Sequence, residues 1–120
     1  MNWLLVFLGG GLGATLRYGT VAISKKWWST DFPLGTLISN VLACLILGIT
    51  ITLLRHKVTS AEQWNAFIVI GICGGYSTFS SFAKENLDLF DKGHYAIGVL
   101  NILLSLALCF LAVWLGKKLA

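Results

Sequence analysis

Charge is what this sequence has least of. Asp, Glu, Lys and Arg make up 12% of its 120 residues, hydrophobic types make up 57%, and the mean hydropathy is +0.80. That balance excludes an ordinary soluble domain. Cysteine is sparse too. Cys44, Cys73 and Cys109 each fall in an apolar stretch, with no C-x-x-C pair and no neighbouring histidine, so the spacing excludes a zinc site and a disulfide framework and leaves small packing residues. His56 and His94 lie at the ends of apolar stretches without metal-binding or catalytic partners. With no nucleophile–base pair and no metal cluster, an enzyme is not expected. The net charge of +4 does not point to nucleic acid, because the cations gather only in twos and threes, at Lys25–Lys26, Arg55–Lys57 and Lys117–Lys118. There they flank apolar runs, where cations anchor helices at lipid head groups. The opening "MNWLLVFLGGGLGA" lacks a basic n-region, so the first apolar run is expected to stay in the mature protein. Internal repeats are missing as well. Many transporters build opposed halves from a duplicated sequence; here a second half would have to be a second copy of the chain.

What is present is four apolar windows, Trp3–Ile23, Leu34–Leu54, Trp64–Ala83 and Tyr95–Gly116, holding between them one cation, Arg17. About 20 apolar residues suffice to cross a bilayer. The expected fold is an all-α integral membrane protein, a single domain over residues 1–120 with spans at about 3–23, 34–54, 64–83 (continuing to about 89) and 95–116. The connections read as roughly ten polar residues each. The lone proline, Pro33, stands at the start of span two, where its missing N–H costs nothing. Trp27, Trp28, Trp64 and Trp114 fall near span ends and suit an aromatic belt. Four spans place the N-terminus, loop 55–63 and the C-terminus on one side with Arg55, Lys57, Lys117 and Lys118; Lys25, Lys26, Lys92 and, if it emerges from the membrane, Lys84 belong to the other. So even a distribution gives the positive-inside rule almost nothing to act on. Either a small bias orients the chain, or it inserts both ways round and forms antiparallel dimers.

Several intramembrane residues invite a role. "GGGLGA", Gly9 to Ala14, fits a dinucleotide fingerprint, with Asp31 some distance on, but no βαβ alternation surrounds it. Its Gly9–Gly13 spacing suits close helix packing instead. Arg17 lies about seven residues from the end of span one, roughly 10 Å deep. It either snorkels to the head groups or faces a water-filled vestibule. Asn40 shares a helical face with Thr36, Ala43, Cys44 and Gly48; span four has a matching stripe of Gly98, Asn101, Ser105, Cys109, Ala112 and Gly116. An unpartnered asparagine in lipid is costly, so both stripes must face protein or water, as interhelical hydrogen bonds or as a polar track. Span three carries "GGYSTFSSF", Gly74 to Phe82, poor material for a helix in lipid. The glycines permit a break there, and the hydroxyls of Ser77, Thr78 and Ser80 can cap the helical segment beyond it. A broken helix frees carbonyls and N–H groups as ready ion sites. Phe79 and Phe82 share a face, and Glu85 is the only acid near the membrane interior.

These stretches carry a resemblance. "GGGLGATLRY", "PLGTLISNVLACLILG" and "GICGGYSTFSSFAKE", in order across three of four spans, are similar to the Fluc, or CrcB, family of fluoride channels. Span four matches only in character, and Ser77 and Ser81 stand where the family more often has threonine. The resemblance implies a dual-topology, antiparallel homodimer in the bacterial inner membrane, exporting cytoplasmic fluoride passively through two pores and so reducing its toxicity. It implies Phe79 and Phe82 as pore wall, Asn40 and the Ser81 region as hydrogen-bond donors to the anion, and a central sodium ion on the main-chain carbonyls of Gly74 and Ser77. Arg17 joins the anion pathway if it faces the vestibule. Fluoride is compact and strongly hydrated, so a passage must replace its water with donors, and ring edges offer further weak stabilisation. The alternative is a small dual-topology secondary transporter of the multidrug-resistance type. Its proton coupling needs a membrane-embedded carboxylate, typically in span one, where this chain has no Asp or Glu. An accessory membrane protein without transport is a further rival, disfavoured by the helix break.

Overall fold

Apolar runs this long have one way to satisfy their backbone in lipid, and the chain takes it: the structure, a computed structural model, describes residues 2–57 and 59–120, and these are helical almost throughout. Met1, just before the expected first span, and Val58, in the expected loop 55–63, lie outside the described residues. Helix α1 runs Asn2–Trp27 and α2 runs Leu34–Leu54. The third crossing is composite: α3 at Ala61–Trp64, a π-helix at Asn65–Cys73, α4 at Gly74–Tyr76, then α5 at Phe79–Asp91. Helix α6 closes the chain at Tyr95–Leu119. Four helical segments, Asn2–Trp27, Leu34–Leu54, Ala61–Asp91 and Tyr95–Leu119, are long and apolar enough to cross a membrane. The protein is a multi-pass membrane protein. Its bundle measures 52 × 28 × 23 Å.

The connections are tighter than their polar composition suggests. Only residues 92–94 separate α5 from α6, where Gly93 takes φ +80° in a turn that an L side chain would resist. At one end of the bundle, Asn2 Nδ2 donates to Glu62 Oε1 (2.7 Å), placing the N-terminus beside the α2–α3 connection. At the other, His94 and Asp31 approach to 3.9 Å across the remaining two connections.

Small residues set the packing. Helix α1 lies against the π-helix and α4: a Cβ at Gly9 or Gly13 would strike the carbonyls of Phe67 or Ile72, and one at Gly75 would come within 2.5 Å of the Gly10 carbonyl. Helices α2 and α6 meet in the same manner, with Gly116 against Leu45, Gly48 and Ile49. The GxxxG reading of span one is thus the geometry found. Hydroxyls close on their own helices, as buried Ser39 Oγ does to the Gly35 carbonyl (2.9 Å) and half-buried Thr52 Oγ1 to that of Gly48 (3.1 Å). Outward-facing Trp3, Phe7, Phe110 and Trp114 present apolar surface. Lys57 and Lys118 sit over the Trp64 and Trp114 rings at that same end.

Two local features depart from the sequence reading. The stretch expected to be plain α-helix before the break is a π-helix of nine residues, with the Gly74 N–H shared between the Val69 and Gly71 carbonyls. The break itself falls after the glycines rather than on them. Gly74 keeps helical dihedrals, φ −64° and ψ −37°, and the chain extends only at Ser77 (ψ 154°) and Thr78 (φ −153°, ψ 121°). Gly75 is needed for the close approach to α1, and nothing in the turn requires its conformational freedom.

Candidate ion pathway

A helix that stops at mid-membrane must find partners for the groups it strands, and Asn40 supplies them. The Thr78 N–H donates to Asn40 Oδ1 at 2.7 Å, and Asn40 Nδ2 donates back to the Thr78 carbonyl at 3.2 Å. One side chain from α2 thereby claims both polar groups of the residue at the break. Thr78 also caps the new helix, its Oγ1 accepting from the Ser81 N–H (3.2 Å) and pairing with Ser80 Oγ (3.2 Å). Ser77 turns backward instead: its N–H and its Oγ both donate to the Cys73 carbonyl, at 3.0 and 2.7 Å.

These diversions have a consequence for the carbonyls upstream. In an unbroken α-helix the N–H of residue i+4 donates to the carbonyl of residue i. The donor due to Gly74 is the Thr78 N–H, taken by Asn40; the donor due to Ser77 is the Ser81 N–H, taken by Thr78 Oγ1. Gly74 and Ser77 therefore keep carbonyl lone pairs that the helix no longer uses.

Beyond the break, Phe79 and Phe82 stand together with ring centroids 5.6 Å apart and planes tilted by 45°. Phe79 is 78% exposed on the single chain, whereas Phe82 is half-buried. Tyr76, at the same interval of three, does not join them. It lies on the other side of the break, buried toward α1, with its hydroxyl 2.9 Å from Thr20 Oγ1. The interval is helical from 79 to 82 and is interrupted between 76 and 79.

A cleft of about 360 Å³ opens beside the α1–α2 connection, lined in part by Lys25, Trp28, Thr36, Ser81, Lys84 and Glu85. On its wall Thr36 Oγ1 donates to Glu85 Oε1 at 2.6 Å, while Glu85 Oε2 is enclosed with no hydrogen-bond partner among the described residues. Lys84 is paired with Asp88 at 2.7 Å. Ser81 is thus brought to the cleft and Asn40 to the break. Arg17 is half-buried on α1 and forms none of the described hydrogen bonds or ion pairs, so no contact ties it to either place.

Sequence reasoning missed Thr78 as the centre of the site, the Thr36–Glu85 bond and Asn86, whose Oδ1 accepts from Asn101 Nδ2 at 2.9 Å. Asn40 and Thr36 share a helical face, which marked α2 as polar-lined; nothing in the sequence said which backbone group that face would meet.

Known proteins resemble this chain from end to end. The family model described as CrcB-like protein, Camphor Resistance (CrcB), matches residues 4–117. Among curated relatives, a Coxiella burnetii protein named fluoride-specific ion channel FluC is 43% identical over 117 residues, spanning 97% of this chain and 94% of its own length. Proteins of that name from Solibacter usitatus (40% over 122 residues; 100% and 98% of the two chains) and Flavobacterium psychrophilum (37% over 115 residues; 96% and 93%) are similarly related. The four-helix chain with its interrupted third crossing belongs to the CrcB-like family.

Proposed function

We propose that the protein is a fluoride-selective ion channel that exports cytoplasmic fluoride passively across the bacterial inner membrane and so reduces its toxicity. The observation that carries the reading is likeness over essentially the whole chain to proteins named fluoride-specific ion channels. Hydrogen fluoride enters cells as a neutral acid and ionises inside, and a passive anion path lets the trapped ion leave down its gradient. The transporter alternative finds no support in the family, and α1 carries no Asp or Glu for proton coupling.

The geometry suggests how this chain treats the ion. Ser81 offers a hydroxyl donor on the wall of the cleft, where Lys25 and Lys84 stand among Asp31, Glu85 and Asp88. Asn40 has two amide N–H bonds and spends one on Thr78, so the other remains for an anion. Phe79 and Phe82 present positive ring edges, which hold fluoride weakly enough to let it go. Phe79, so exposed on a single chain, needs a further wall. An antiparallel second copy would supply it, and the even cation distribution permits that arrangement.

The freed carbonyls of Gly74 and Ser77 fit a hard monovalent cation. Two such oxygens from each of two chains would form an uncharged, all-oxygen site, with no carboxylate to neutralise a divalent ion. Sodium bound there would pin the two third crossings together.

The cellular role is tested by growth in mildly acidic, fluoride-containing medium, where hydrogen fluoride entry is fast. Bacteria without a fluoride exporter should be protected when they express this chain and not when they express its Asn40→Asp variant. Equal growth with and without the protein in the membrane would overturn the reading.

A further inference from the structure

Between the π-helix and the extended residues lies a single short turn, α4, formed by Gly74, Gly75 and Tyr76. The freed carbonyls of Gly74 and Ser77 stand at its two ends. A turn this short cannot hold its own shape. The chain beyond it is extended at Ser77 and Thr78, so the downstream half-helix lends it no helical support. It must be fixed from the side.

Helix α1 provides that side. Gly75 packs on Gly10 and Ala14, and a Cβ at Gly13 would come within 2.8 Å of the Tyr76 nitrogen. Such contacts set a distance and carry no directional bond. Tyr76 adds one. It is 6% exposed, and its hydroxyl lies 2.9 Å from Thr20 Oγ1. Thr20 Oγ1 in turn donates to the Leu16 carbonyl at 2.9 Å. A threonine hydroxyl has one proton, and this one is spent on Leu16, so the tyrosine donates to Thr20. The relay therefore runs one way, from the Tyr76 hydroxyl through Thr20 to the backbone of α1. Among the described residues the only other hydrogen bond from α1 to the third crossing is Asn2–Glu62, at the end of the bundle.

We infer that Tyr76, tied through Thr20 to the α1 backbone, is a positioning residue for the carbonyls of Gly74 and Ser77. Those oxygens are the proposed sodium ligands, and the inference rests on that reading. Tyr76 itself touches no ion. Asn40 fixes the downstream side of the break through Thr78, and Tyr76 fixes the upstream side. Ser77 follows Tyr76 directly, and its N–H and Oγ are both bound to Cys73, so any rotation of α4 carries the Ser77 carbonyl with it. A plain apolar ring would fill the same space. The hydroxyl is what adds direction.

The test is a double-mutant cycle of Tyr76→Phe and Thr20→Val in the full chain, read as thermal unfolding across a sodium titration with a large organic cation keeping the ionic strength constant. Each single variant should raise the sodium concentration that gives half the stabilisation by about fivefold, the scale of one hydrogen bond. The double variant should match either single one, and Thr20→Ser, which keeps the hydroxyl, should match the parent. A merely structural bond would lower the unfolding temperature equally at every sodium concentration. An unmoved midpoint, or multiplied shifts in the double variant, overturns the inference. A second readout needs no sodium. Serine labelled with carbon-13 at its carbonyl, combined with nitrogen-15 threonine, marks the peptide bonds Ser29–Thr30 and Ser77–Thr78. In sodium-free buffer the Ser77 signal should move alike in both single variants and in the double, with Ser29 as the fixed control. An unmoved Ser77 signal overturns the inference. If the parent is indifferent to sodium, the sodium reading fails, and this arm still decides whether Tyr76 positions the carbonyl. Should one single variant not fold, the other carries both measurements.

Discussion

Asn40 and Thr78, 38 residues apart, are joined by two hydrogen bonds, one in each direction between a side-chain amide and a main-chain peptide. The pair imitates one rung of a β-ladder at a place where neither helix nor water can serve. It is why the third crossing can open at Thr78 with both polar backbone groups of that residue still paired.

From this pair comes the first prediction. Asn40→Leu strands the Thr78 N–H and carbonyl and should cost about 1–3 kcal/mol for each group left unsatisfied. Asn40→Asp keeps the acceptor for the Thr78 N–H, so it should unfold nearer the parent's temperature. It should nevertheless conduct no fluoride, because its charge repels the anion. Thermal unfolding and efflux measured side by side separate the clamp from the path; an Asp variant that conducts normally would place the anion elsewhere.

Neighbouring glycines should behave differently. A Cβ at Gly75 would lie 2.5 Å from the Gly10 carbonyl and 3.0 Å from the Ala14 nitrogen, whereas Gly74 has only the Val69 carbonyl, at 4.0 Å. Gly75→Ala should destabilise by about 1–3 kcal/mol as an overpacked contact. Gly74→Ala should lose less, or gain some of the roughly 0.5–1 kcal/mol that alanine brings to a helix. Equal thermal shifts would show that α1 does not hold α4 in close contact.

Phe79→Ile and Phe82→Ile test the rings. Each keeps apolar bulk and removes the aromatic edge, so fluoride efflux should fall sharply while the helical content and the oligomer persist. Parent-like conduction in both variants would reduce the rings to packing residues.

The proposed second copy and the proposed sodium ion make a joint expectation. C-terminal tags should report comparable inside and outside populations in cells. Dimers should lose stability when sodium is exchanged for a large organic cation. Chains of a single orientation, or dimers indifferent to the exchange, would remove that part of the account.

The sequence made some of this plain and hid the rest, for physical reasons. Hydropathy is a one-dimensional quantity, so four spans and the anomaly at "GGYSTFSSF" could be read directly. The Gly9–Gly13 face was legible because GxxxG has a fixed helical geometry. The break's position was not, since two glycines suggest conformational freedom and here one of them serves packing instead. Nor could spacing show that Tyr76 parts company with Phe79 and Phe82, because helical periodicity loses its meaning across an extended residue. Asn86 passed unnoticed for a similar reason: its hydrogen-bond partner, Asn101, meets it only in three dimensions.

The most direct measurement of the central claim is fluoride release from liposomes containing only the purified chain, with the charge balance supplied by a potassium ionophore. A fluoride electrode should show rapid release that begins only when the ionophore is added, and a chloride electrode under the same gradient should show almost none. That result is expected of an electrogenic, fluoride-selective channel. Release no faster than from protein-free liposomes, or chloride release as fast as fluoride, would contradict it.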